Sequence, residues 1–254
     1  MRASAIEFRL RVPMIVALIG IGYWAPWIES RGMLARTFLL VEAAASLARV
    51  GVCSFAIATK ILVTVAILLA ANGAWLRVWG AAYLSPAVVY HREMKAVILT
   101  AQGPYRLIRN PLYLGSWCMV AAMSLLMPPS GALITMAALT ILFVRLIGAE
   151  EAFLVKTLGE PYLTYQRRVP SLLPRWSSRT AESVMQELQR PHWLCAGLAE
   201  LNSIGVFLIF ASLAWRYDHV LLIKAIVVNF GFSLIVRALL PNAASEPSRT
   251  EVSE

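Results

Sequence analysis

Apolar positions along this chain fall into long blocks, and the polar residues gather in short stretches between them. The blocks run from Val12 to Ile28, Leu34 to Val50, Val52 to Trp79, Leu112 to Met127, Gly131 to Gly148, Leu194 to Trp215 and Val220 to Leu240. Runs of this length match the thickness of a bilayer core, where a helix satisfies its own backbone groups. The pattern predicts an all-α fold: a polytopic integral membrane helical bundle with about five or six transmembrane helices. The Leu34–Val50 block carries Arg36, Glu42 and Arg49 and reads either as an interfacial helix or as an imperfect span. Lys60, inside the third block, either snorkels to the surface or faces protein. Pro128-Pro129-Ser130 is a short uncharged joint, so the blocks on either side form an antiparallel hairpin.

That hairpin brings the polar stretch before Leu112 and the one after Gly148 to the same membrane side. Both are basic: Arg92, Lys95, Arg106 and Arg109 in the first, Lys156, Arg167, Arg168 and Arg175 in the second. The positive-inside effect makes this side cytoplasmic. Hydropathy then divides the chain into N-terminal membrane helices (1–84), a core with the hairpin (85–176), a connector with an extra C-terminal pair (177–240) and a polar, disordered tail (241–254). Arg2, Arg9 and Arg11 precede the first block, which ends in Trp24, Pro26, Trp27 and Glu29, with no small-residue cleavage pattern. It reads as an uncleaved anchor.

Composition sharpens this picture. Hydrophobic residues make up 59% of the 254, and the net charge is +9. A basic soluble domain would suggest nucleic acid. Here the arginines and lysines sit between apolar blocks, where anionic headgroups account for them, and no nucleic-acid partner is expected. Cys53, Cys118 and Cys195 lie far apart, as do His91, His192 and His219, so no metal-ligand spacing is present.

Three polar stretches could carry chemistry. Gly103-Pro104-Tyr105 signals a turn, and Asn110-Pro111 places Asn at a helix cap and Pro at the first helical position. Tyr105, Arg109 and Tyr113 cluster at this mouth; they also suit plain interface anchors. Arg145 lies inside an apolar block shortly before Glu150-Glu151. It faces a cavity or partner, or it snorkels. The third stretch, Gly159-Glu160-Pro161-Tyr162 to Tyr165 and then Arg167-Arg168-Val169-Pro170, interrupts a helix and reads alone as an amphipathic connector.

Taken together, in order and spacing, these stretches resemble the isoprenylcysteine carboxyl methyltransferases and the related membrane phospholipid methyltransferases. The resemblance runs from Leu76-Arg77-Val78-Trp79 to Pro174. It implies methyl transfer from S-adenosylmethionine to a lipophilic acceptor, either a prenylated carboxylate or a phospholipid-like molecule, and a membrane-lipid environment. It further implies that Leu99, Tyr105, Asn110, Pro111, Leu112, Tyr113 and Glu150 line the cofactor pocket. Arg109 and Arg145 would orient an anionic acceptor, and Tyr162 and Tyr165 would close the site. An amine acceptor would need a base, for which Glu151 or His91 is the candidate. The family pattern has His where this chain has Asn110, and Asn cannot titrate. Two other classes fit the same hydropathy: an NADPH-dependent, sterol-reductase-like membrane enzyme and a non-enzymatic membrane protein.

Overall fold

The computed structural model describes residues 3–24, 38–84, 101–173, 190–214 and 218–239. Ten α-helices and one 3-10 turn lie among them, and no strand. Leu99, His91, most of the 177–190 connector and the tail from Pro241 fall outside the described residues.

The chain opens with a short helix, α1 (Ala5–Arg9), then α2 (Arg11–Trp24). Ser4 and Glu7 close a capping box at the start of α1, each bonding the other's backbone N–H. The 34–50 block contains α3 (Leu39–Arg49), with Leu40 and Ala44 buried. At about 1.5 Å per residue its 11 residues are too short to cross a bilayer. Next comes α4 (Phe55–Tyr83), of 29 residues. The hairpin consists of α5 (Pro111–Ser124) and α6 (Pro129–Leu158). Pro129, expected in the joint, is instead the first residue of α6, a position its missing N–H suits. The joint moves back to residues 125–128.

Gly159, at φ +64, ends α6 where the interruption was expected, and α7 (Glu160–Arg168) follows. The C-terminal blocks form α8 (Trp193–Ala199), α9 (Leu201–Ser212) and α10 (His219–Leu239). Among the described residues, α4 and α6 are long and apolar enough to cross a membrane; α8 and α9, bent by 71° at their break, make a third span if taken as one. Two further apolar helices, Arg11–Trp24 and Val220–Val236, are shorter. The molecule is a helical membrane protein.

Glycines set how closely these helices approach. A Cβ at Gly131 would lie 2.0 Å from the Gly22 carbonyl oxygen, so α2 and α6 touch backbone to backbone. A Cβ at Gly115 would lie 2.8 Å from the Gly73 carbonyl oxygen, and α4 and α5 pack equally tightly. Close helix approach through small residues is a common basis of association in lipid. The register follows. Trp117 on α5 donates to Thr140 on α6 at 3.1 Å, and Thr135 on α6 donates to the Leu18 carbonyl on α2 at 3.2 Å. Both pairs are antiparallel, so the start of α2, the end of α4, the start of α5 and the end of α6 share one end of the bundle. The polar groups gather there.

Candidate functional site

The turn before α5 is a 3-10 segment, Gly103–Arg106. Gly103 sits at φ +57, and a Cβ there would run into the Tyr83 ring at 2.4 Å. Only glycine meets both conditions. Asn110 stands at the cap position of α5, but its side chain makes no cap bond. Its amide donates instead to Glu151 Oε1 at 3.1 Å and to Ser171 Oγ at 3.1 Å.

Arg109 grips the same carboxylate. Its Nε and Nη2 donate to the two Glu151 oxygens at 3.0 and 3.1 Å. Its Nη1 donates to the carbonyls of Gln166, at 2.7 Å, and Val169. Gln166 Nε2 and Ser171 Oγ also donate to Glu151, at 3.0 and 3.3 Å. Backbone bonds from Arg109 to Pro170 and from Asn110 to Ser171 complete the join. Glu151 thus accepts from five groups, and its side chain and that of Arg109 are only 14% and 10% exposed. A forked, charge-assisted pair of this kind is strong and directional. It clamps the segment after α6 onto the mouth of α5.

Glu150 lies about 100° round the helix from Glu151 and meets different company. The Tyr113 hydroxyl donates to its Oε2 at 3.1 Å. The Tyr113 ring is held edge-on to Phe143, with centroids 5.3 Å apart. Residues 61–161 match the phospholipid methyltransferase family. No curated protein and no solved structure matches the chain. The matched segment begins inside α4, spans the hairpin and ends at the start of α7. It therefore contains Arg109, Asn110, Tyr113, Glu150 and Glu151, and the resemblance read from the motifs holds over this stretch.

The remaining sequence candidates divide. Pro111 and Tyr105 are buried, and Leu112 packs under Gly80 on α4. Tyr162 and Tyr165 are buried beside each other, with ring centroids 5.9 Å apart, and the Tyr165 hydroxyl donates to the Tyr105 carbonyl at 2.7 Å. Burial raises the pKa of all three phenols, and neighbouring negative charge adds to this: Glu150 on Tyr105, Glu151 on Tyr162. They are neutral donors at physiological pH. Arg145 stands apart from the Arg109 clamp. Its Nη2 meets both oxygens of Glu7 at 2.9 Å, and its carbonyl accepts from the Ala3 N–H. The bonds from Arg145 hold the Glu7 carboxyl below its ordinary range.

Two features at this end of the bundle lie partly outside the matched segment and were not foreseen. One is the α1 docking, with Glu7 on Arg145 and Phe8 buried against Val120, Leu142, Phe143 and Leu146. The Ser4–Glu7 capping-box spacing was its visible signal. The other is a forked pair between Arg77 on α4 and Glu200 at the α8–α9 break: Nε to Oε2 at 2.6 Å and Nη2 to Oε1 at 2.8 Å. Ser203 and Ser116 complete it, and Trp193 stacks on Trp75 beside it. Arg77 lies in an apolar block whose other charge, Lys60, has the same sign, and Glu200 is the lone charge in its block; in a membrane helix each calls for a partner. Among the described residues no group of three or more His, Cys, Asp or Glu could hold a metal ion.

Proposed function

We propose that this protein is an S-adenosylmethionine-dependent methyltransferase acting on a lipid at the cytoplasmic membrane face. One observation carries the reading: the phospholipid methyltransferase match falls on the hairpin whose ends bring Glu150 and Tyr113 together. The donor set fits the cofactor. Glu150 has a carboxylate oxygen beyond the one Tyr113 occupies, suited to an amino group or a ribose hydroxyl. Tyr105 and Tyr113 offer aromatic surface to adenine and to the positive sulfonium. When bound, the cofactor supplies an electrophilic methyl group on that sulfonium. Asn110, Pro111 and Leu112 complete the pocket in this reading, and Leu99 is assigned to it by the sequence resemblance alone.

The protein's part is positioning. The positive charge on the donor is lost as the methyl leaves, so in-line alignment matters more than strong charge pairing. Arg109 and Glu151 hold the mouth of α5 against the segment after α6, and Tyr162 and Tyr165 seal it from water. In that role Glu151, with five donors on it, is a positioning residue rather than a base. Arg109 and Arg145 each face a carboxylate of this chain, Glu151 and Glu7, rather than an open surface. The acceptor is therefore read as a phospholipid-like molecule in preference to a prenylated carboxylate, which would need an arginine fork.

The test is methyl transfer from labelled S-adenosylmethionine into a total lipid extract, run beside calorimetric binding of S-adenosylhomocysteine and NADPH in detergent. Adenosylhomocysteine should bind, and label should enter the phospholipid fraction. NADPH binding without adenosylhomocysteine binding would overturn the reading in favour of a reductase.

A further inference from the structure

The N-terminal helices lie outside the matched segment, yet they bring a guanidinium to the cluster on which Tyr113, the partner of Glu150, packs. Phe8 is 6% exposed and shares a cluster with Val120, Leu142, Phe143 and Leu146, against which Tyr113 packs. The Arg11 guanidinium lies over the Phe8 ring, 4.3 Å from its centroid. From there its charge acts on both the Tyr113 hydroxyl and the Glu150 carboxylate. α1 cannot slide away easily, because the Glu7–Arg145 pair and the Ala3–Arg145 backbone bond hold it to α6.

Three other arginines at this end are already committed to carboxylates, Arg109 to Glu151, Arg145 to Glu7 and Arg77 to Glu200. Arg11 is in none of the three close ion pairs among the described residues. The Tyr113 hydroxyl donates to Glu150, and Arg11 lies over Phe8 in the cluster that Tyr113 packs against, so a carboxylate and a guanidinium flank one tyrosine, an arrangement of complementary charge for a zwitterion.

Resting on the reading of Glu150 as a cofactor ligand, we propose that Arg11 is the second half of that receptor. It takes the α-carboxylate of the donor's amino-acid end, and Glu150 takes the α-amino group. Phe8 sets the guanidinium's position by stacking beneath it. The N-terminal segment thereby becomes one wall of the cofactor site, recognising the amino-acid moiety and not the nucleoside.

The experiment uses two ligands that share the nucleoside and differ in the amino-acid end. S-adenosylhomocysteine carries it; 5′-methylthioadenosine lacks it. Affinities of both are measured by calorimetry on the full chain in detergent. In Arg11→Gln, adenosylhomocysteine should bind about tenfold or more weakly, the order expected for losing one charge-assisted contact, while methylthioadenosine binding stays unchanged. Arg11→Lys keeps the charge without the fork and should recover part of the loss. Equal weakening of both ligands in both variants would make Arg11 a structural residue and overturn the proposal, as would no change for either. Failure of the unaltered protein to bind adenosylhomocysteine would instead remove the cofactor reading itself, and the Arg11 role with it.

Discussion

Two consecutive glutamates make the residue-scale lesson. Glu150 and Glu151 differ by one position on α6, yet one is fully engaged and the other is lightly held. Replacing Glu151 with Gln leaves Arg109 partly buried without its counter-charge. The expected cost is about 3 kcal/mol, read as a fall in thermal midpoint in detergent. Glu150→Gln should leave the midpoint nearly unchanged and weaken adenosylhomocysteine binding by about tenfold, an effect of one charge-assisted contact. The buried tyrosines give a pH signature. Their folded pKa values lie above the unfolded value of about 10, so the stability they support is complete below pH 10 and falls as pH rises past it. An alkaline melting series should show that decline, and Tyr165→Phe should reduce it, at a cost near 1 kcal/mol for the lost bond to Tyr105. The motifs singled out both glutamates and the tyrosines as candidates. They did not distinguish the clamped glutamate from the lightly held one, because that depends on Gln166 and Ser171 arriving from beyond the Gly159 turn.

At the scale of elements, the local signals were read well. The hairpin, the break at Gly159, the proline at the start of α5 and the long run of α4 follow from periodicity and from the backbone limits of proline and glycine. What escaped was the subdivision of blocks: α1 separates from α2, and the Leu194–Trp215 block bends at Glu200. Both changes serve partners distant in sequence, which hydropathy does not register. Contact between elements rests on missing side chains. A methyl group at Gly131 would need the space held by the Gly22 carbonyl, so Gly131→Ala should force α2 off α6 and lower stability by about 1–3 kcal/mol. Thermal unfolding checks this, and Gly20→Ala, where a Cβ meets nothing within 4 Å, is the matched control.

At the scale of the whole molecule, the matched segment depends on what flanks it. Arg145 inside it is paired by Glu7 before it, and Arg77 inside it by Glu200 after it. Glu200→Gln should destabilise the protein, because Arg77, 24% exposed, loses its forked partner; joint replacement of Arg77 and Glu200 by Met should restore much of that loss. Detergent melts of the single and double variants decide between a paired and an unpaired role.

The Arg77–Glu200 pair also has a consequence in time. The two residues are 123 positions apart. At about 5–20 residues per second of synthesis, α4 leaves the ribosome roughly 6–25 s before its counter-charge exists. A bare arginine in an apolar helix is poorly tolerated by lipid. The pairing therefore predicts that α4 settles fully into the bundle only after Glu200 has been made, and truncation of the nascent chain before that residue should leave α4 more accessible to an aqueous probe.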